Sequence, residues 1–138
     1  MSEKGKVHVH LSASNLQRSK EFYTRLWGAG PVKEKPDYAK FLPDLGPLNL
    51  AISQGTPSHD TGRALHLGIQ VDSPEIVRRE LERVRKLGLP VRVERNVTCC
   101  YANQDKFWVV DPDGLEWEIY HLNFDTQEKQ QESAAVCC

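Results

Sequence analysis

A chain of 138 residues can bury one sizeable core, or two small halves packed as one. Its 39% hydrophobic and 27% charged residues are those of a soluble globular protein, and a net charge of -1 with no dense basic block supports neither nucleic acid nor an anionic membrane as the main partner. The opening MSEKGKVHVHL has no apolar signal core and no later run could span a bilayer, which predicts a cytoplasmic protein whose four cysteines stay reduced rather than forming a disulfide framework.

The first predicted element is a strand over Lys6–Ser12, with Val7, Val9 and Leu11 on one side and His8, His10 and Ser12 on the other. A helix follows. Ser14 and Gln17 have capping-box spacing, and Leu16, Phe22, Tyr23, Leu26 and Trp27 make an apolar face that stops before Gly28. Short strands are predicted at Val32–Lys35, Tyr38–Leu42 and Leu48–Ser53, separated by proline- and glycine-containing turns.

The same order then recurs. Leu65–Val71 alternates, with His66, Gly68 and Gln70 on its polar side; Ser73 and Pro74 open a helix with a stripe of Ile76, Val77, Leu81, Val84 and Leu87, and Gly88 closes it. Strands are predicted at Pro90–Glu94, Lys106–Val110 and Leu115–Leu122, the last two joined by a turn at Asp111–Gly114. A shift of 58 residues sets His8 on His66 and Gly30 on Gly88, whereas the last strands match with a shift of 67, so the second half is nine residues longer. Those extra residues fall around Cys99-Cys100, and Asn96–Lys106 reads as an added loop. The expected fold is α+β: two tandem βαβββ units, residues 1–57 and 58–122, forming a curved mixed sheet in one compact domain, with 123–138 as a flexible tail.

Strand parity brings out a candidate metal site. His8, His66 and Glu118 each lie on the polar face of a strand whose other face is apolar, so all three face a common concave surface. Two histidines and a carboxylate with positions left open suit non-haem Fe(II). A strand histidine is more often a surface or hydrogen-bonded residue than a ligand, but the repeat-equivalence of His8 and His66 requires that coincidence twice. His10 faces the same way as His8 and is its rival, and Glu116 shares the face of Glu118 but lies nearer the turn. His59, in a polar turn segment, and His121, on the opposite face, are set aside.

All four cysteines fall in adjacent pairs, Cys99-Cys100 and Cys137-Cys138. Adjacent cysteines make a strained ring when oxidised, but reduced they offer two soft sulfurs to thiophilic centres such as trivalent arsenic, Cd²⁺ or Hg²⁺. The bland account of the first pair is burial of two small side chains, which Thr98, Asn103, Gln104 and Asp105 around it argue against.

The repeat, together with Phe22-Tyr23, Trp27-Gly28 and DPDGLEWEIY, resembles the vicinal oxygen chelate superfamily of glyoxalases, extradiol dioxygenases and fosfomycin-resistance proteins, over Lys6 to about Leu122. That resemblance implies a metal on His8, His66 and Glu118. The run Cys99-Cys100-Tyr101-Ala102 with Gln104-Asp105-Lys106 is similar to the organoarsenical C–As bond lyases of the superfamily, some of whose relatives are called cadmium-induced proteins. Some members carry Gln where His8 stands. The resemblance implies that Cys99 and Cys100 grip a trivalent organoarsenical, methyl or aromatic, beside Fe(II). Dioxygen is then a co-substrate and arsenite a product, with Cys137 and Cys138 at most an accessory arsenic site. Tyr101, Gln104, Lys106 and Trp108 are assigned no catalytic role. The assembly expected is a monomer or a homodimer. Two other readings stand beside it: a thiol-dependent metalloenzyme of the glyoxalase or fosfomycin-resistance type, and a non-enzymatic binder of Cd²⁺ or arsenite.

Overall fold

The computed structural model describes residues 5–57, 65–99 (for Cys99 the backbone alone) and 102–125. Its elements in chain order are β1 (Val7–Ala13), α1 (Leu16–Trp27), β2 (Lys33–Lys35), β3 (Tyr38–Phe41), β4 (Leu48–Gln54), β5 (His66–Gln70), α2 (Pro74–Lys86), β6 (Arg92–Cys99), β7 (Ala102–Val110) and β8 (Glu116–Asp125). They form two compact units. One is Met1–Asp60 with Asp111–Gly114; the other is Thr61–Val110 with Leu115–Cys138.

In the first unit the strand order is β1-β4-β3-β2, with β1 parallel to β4 and the other pairs antiparallel. Leu16, Phe22, Tyr23, Leu26 and Trp27 of α1 are buried, as are Ala39, Phe41, Leu50 and Ile52 of the strands it packs on. Each large apolar side chain so buried contributes about 1.5–3 kcal/mol. The helix starts differently from the capping box expected at Ser14. Asn15, extended at φ -140°, is the N-cap, and its Oδ1 accepts the Arg18 N–H at 3.1 Å. Ser14 is drawn elsewhere: its N–H and its hydroxyl both donate to the Asp113 carboxylate. Asp111, in the same turn, accepts from the buried Tyr23 hydroxyl at 2.7 Å. The DPDG turn therefore fastens α1 as well as reversing the chain. At the other end Gly28, at φ 75°, adopts the left-handed conformation that closes the helix.

The second unit repeats the topology as β5-β8-β7-β6, with β5 parallel to β8. Ser73 caps α2 by accepting the Ile76 N–H at 3.3 Å, Pro74 occupies its first turn, and Val77, Leu81 and Val84 are buried. The α+β architecture of two βαβββ units is thus the observed one, each unit with its own four-stranded mixed sheet.

Two boundaries move. The segment expected as an added loop is mostly ladder: β6 runs to Cys99 and β7 begins at Ala102. Likewise β8 continues through Asn123, Phe124 and Asp125, three residues expected in the tail. Alternation of apolar residues fails here because Asn123 of β8 donates across to both Asn103 and Asp105 of β7. The rest of the expected tail, with Cys137 and Cys138, lies outside the described residues. No helix of the described residues is long and apolar enough to cross a membrane.

Candidate metal centre

The second sheet places its chemistry by register. Gly68 pairs with Glu118 and Glu118 with Trp108; one row away, His66 pairs with Glu116. Alternation in the three strands sets His66, Glu118, Trp108 and Lys106 on one face, while Trp117, Ile119 and Phe107 turn to the core under α2.

On that face His66 Nε2 lies 3.9 Å from Glu118 Oε1. This is too long for a hydrogen bond. One divalent ion with ligand distances of about 2.0–2.2 Å spans such a gap. The other carboxylate oxygen is taken: Lys106 Nζ donates to Glu118 Oε2 at 3.0 Å. Lys106 is 1% exposed and Glu118 8%, so this is a buried ion pair. A carboxylate held through one oxygen leaves the other aimed and available, the usual arrangement behind a metal ligand. Trp108, 2% exposed, meets the His66 ring edge-on with centroids 5.1 Å apart, and its Nε1 is buried with no partner among the described residues. Burial and, second, the Glu118 charge push the Tyr120 phenol above its ordinary range.

Gly68 makes room for this carboxylate. A Cβ there would stand 2.6 Å from Glu118 Cγ and 2.8 Å from its carbonyl oxygen, closer than real contacts allow. Sequence reading missed both this role and that of Lys106. The signals were present: a glycine inside a strand marks close approach, and a lysine in a buried run needs a carboxylate.

His8 belongs to the first unit, on β1, where its Nδ1 lies 3.2 Å from the Asn49 carbonyl oxygen. A carbonyl only accepts, so Nδ1 carries the proton and Nε2 keeps a lone pair that a metal could take. Asn49 Oδ1, beside it in register, is buried without a partner among the described residues. The rival His10 is already engaged, its Nε2 2.7 Å from Ser53 Oγ. Glu116 pairs with Arg92 at 3.7 Å, and His121 Nδ1 with Asn123 Oδ1 at 3.0 Å. Within either unit, the described residues include no three His, Cys, Asp or Glu side chains grouped to hold a metal, so the His66–Glu118 pair needs further ligands. His66 Nε2 and the spare Glu118 oxygen are donors that fit a divalent metal. Of the cysteines, position 99 is opposite Ala102 at the end of β6, while Cys100, Tyr101 and His59 lie outside the described residues.

The model of the glyoxalase/bleomycin resistance protein/dioxygenase superfamily matches residues 6–119. The chain belongs to that superfamily. Within it, the chain is 43% identical over 133 residues to the trivalent organoarsenical cleaving enzyme of Bacillus sp. (strain MD1), covering 96% of this chain and 81% of the relative. It is 40% identical over 131 residues to the probable trivalent organoarsenical cleaving enzyme of Bacillus subtilis (strain 168), covering 95% and 89%. A cadmium-induced protein of Mycobacterium tuberculosis (strain ATCC 25618 / H37Rv) is 35% identical over 143 residues, covering 96% and 92%. Among solved structures, a superfamily protein from Alicyclobacillus acidocaldarius superposes with a TM-score of 0.71 at 16% identity, over 86% of this chain and 91% of that one. A fosfomycin resistance protein from Listeria monocytogenes does so at 0.65 and 22% identity, over 87% and 94%. At those identities the likeness is one of fold.

Proposed function

We infer that this protein cleaves the carbon–arsenic bond of trivalent organoarsenicals, methyl or aromatic, to give arsenite, using Fe(II) and dioxygen. The observation that carries the reading is that one ladder, β6-β7-β8, holds both a member of the adjacent cysteine pair and the buried Glu118 that faces His66. Relatives 40% and 43% identical are named, one of them as probable, for cleaving trivalent organoarsenicals.

The chain's own residues have separable tasks. The Cys99 and Cys100 thiols replace the two hydroxyls of R–As(OH)₂, each thiol proton leaving with a hydroxyl as water, and the two As–S bonds fix the R group in one direction. Pentavalent arsenicals do not exchange ligands in this way and are excluded. His8, His66 and Glu118 would hold Fe(II), which when bound supplies activation of dioxygen. Lys106 holds one oxygen of Glu118 so that the other stays aimed, and Gly68 keeps the space that this carboxylate occupies. Fixing the scissile bond is the largest contribution the protein makes.

The test is incubation of Fe(II)-loaded protein with methylarsonous acid, with and without oxygen, and assay of arsenite. Oxygen-dependent release is expected, with Cys99→Ala or Cys100→Ala lowering it by about a hundredfold or more while iron binding persists. Cys138→Ala in the accessory pair leaves the rate unchanged. Full activity of either loop variant overturns the dithiolate. Arsenical binding without release makes the protein a sequestering one, and oxygen-independent, thiol-dependent turnover places it with the glyoxalase and fosfomycin-resistance chemistries.

A further inference from the structure

The two sheets differ in charge on the face turned away from the helix. In the first unit, alternation puts Ala39, Leu50 and Ile52 in the core under α1, so Tyr38, Lys40, Asn49, Ala51 and Ser53 face the other way. Register adds His8 and His10 to that face, opposite Asn49 and Ala51. On β2, Glu34 is opposite the buried Ala39 and reaches Lys20 of α1 at 2.9 Å, which places it on the helix side. Lys33 and Lys35 therefore share the face of His8, and Lys33 is directly opposite Lys40.

Every formal charge on these strand positions is positive. Lys33 and Lys35 are exposed and Lys40 is half-buried, and none of the three has a carboxylate partner among the described residues. The corresponding face of the second sheet is balanced. There Arg92 and Lys106 stand among Glu94, Glu116 and Glu118, and each cation is paired.

Lysines on an edge strand keep it from pairing with another chain, which accounts for Lys33 and Lys35. It does not account for Lys40, which is on an inner strand and faces Lys33 across the ladder. Like charges directly opposite one another destabilise a sheet. A face that keeps this arrangement beside His8, with no counter-charge of its own, suits an anion.

The uncharged acid R–As(OH)₂ is not one. The exchange by which Cys99 and Cys100 take arsenic is open to any small thiol, however, and a thiol bearing carboxylates turns the arsenical into an anion. Lys33 and Lys40 have Cβ atoms about 5 Å apart, and Lys33 and Lys35 are about 7 Å apart along the strand. Their ammonium groups are thus spaced to meet the carboxylates of two carriers on one arsenic.

We propose that Lys33, Lys35 and Lys40 receive the carboxylates of small thiols that carry the trivalent arsenical, so that the substrate class is an anionic bis-thiolate, R–As(SR′)₂. This rests on the function proposed above. Transfer is an exchange without redox change. Each cysteine thiol forms an As–S bond as a carrier As–S bond breaks, and its proton leaves with the carrier as R′SH. The lysines act before that step, by raising the rate of encounter.

The test compares methylarsonous acid carried by mercaptosuccinate, which has two carboxylates per thiol, with the same acid carried by uncharged mercaptoethanol. Arsenic transfer to the metal-free, full-length protein is followed in low salt by rapid quench and mass spectrometry. In the triple variant Lys33→Gln, Lys35→Gln, Lys40→Gln the mercaptosuccinate adduct transfers about tenfold or more slowly, and the mercaptoethanol adduct at an unchanged rate. Added salt slows transfer to the unaltered protein with the same selectivity. Arg78→Gln with Arg79→Gln and Lys86→Gln, which removes equal charge from α2, leaves both rates near those of the unaltered protein. The Tm of the lysine variant holds or rises, because the repulsion between Lys33 and Lys40 is gone.

Equal slowing of both adducts, no slowing of either, or the same loss in the α2 variant overturns the proposal. In the iron-loaded enzyme with oxygen, kcat/KM for the mercaptosuccinate adduct falls likewise while kcat is kept. If the unaltered enzyme releases no arsenite, the functional reading fails while the transfer rates still decide the role of the lysines.

Discussion

The two units share a topology, and among the cross-strand pairs at which they differ one is instructive. In the first, His10 on β1 is opposite Ala51 on β4; in the second, the equivalent pair is Gly68 opposite Glu118. Large and small have changed places. In the first unit the edge strand carries the large polar side chain, and in the second the inner strand does, with the edge strand reduced to glycine to admit it. The inner position is the more enclosed, since Glu118 lies between β5 and β7 and is nearly buried. A carboxylate there needs a partner, which Lys106 supplies, whereas exposed His10 needs only Ser53. The difference explains why the second unit sets a carboxylate within 3.9 Å of a histidine on one face while the first leaves His10 on an exposed edge.

The contrast can be broken most severely at Lys106. Lys106→Met leaves Glu118 buried without its partner and is expected to cost about 3–5 kcal/mol in urea unfolding of the metal-free protein. The double variant Lys106→Met with Glu118→Met should recover most of it. A single variant as stable as the unaltered protein would mean that the pair is not buried as described. Next comes Gly68→Ala, for which overpacking against Glu118 predicts a loss of about 1–3 kcal/mol. It should also weaken divalent-metal affinity by about tenfold or more in calorimetric titration; unchanged affinity would sink the role given to this glycine.

Smaller effects sharpen the same contrast. His10→Ala should leave metal affinity unaltered while His8→Ala reduces it about tenfold or more, and equal losses would restore His10 as a ligand candidate. Finally, Asn15→Ala and Ser73→Ala remove corresponding caps from the two helices. Each should cost about 1 kcal/mol, and a marked inequality in their midpoints would show that the turn at Asp113 does the work assigned to Asn15.

Much of this was legible in the sequence because it depends on period and punctuation. The alternation in Leu65–Val71, the Ser73-Pro74 start and the glycines after both helices each report a local rule, and those elements appear where the rules put them. Strand parity then put His66 and Glu118 on the polar faces of strands that prove to be paired. What escaped depends on partners distant in the chain. Ser14 has the spacing of a cap, but a carboxylate 99 residues away competes for it. Lys106 looks like any charged strand residue until register shows Glu118 within reach. The length of β6 and β7 was hidden because their polar residues satisfy one another across strands, leaving no apolar rhythm to read.

The turn at Asp111–Gly114 has a consequence for biosynthesis. It joins β7 to β8 yet belongs to the first compact unit, where it accepts the buried Tyr23 hydroxyl from 88 residues upstream. At about 5–20 residues per second, synthesis of that interval takes roughly 4–18 s. From the completion of β4 at Gln54 until Asp111 is added, the nascent first unit has its helix and strands but lacks the acceptor for Tyr23. A ribosome-bound chain stopped before Asp111 should hold that unit in a looser state, open to proteolysis until the turn arrives.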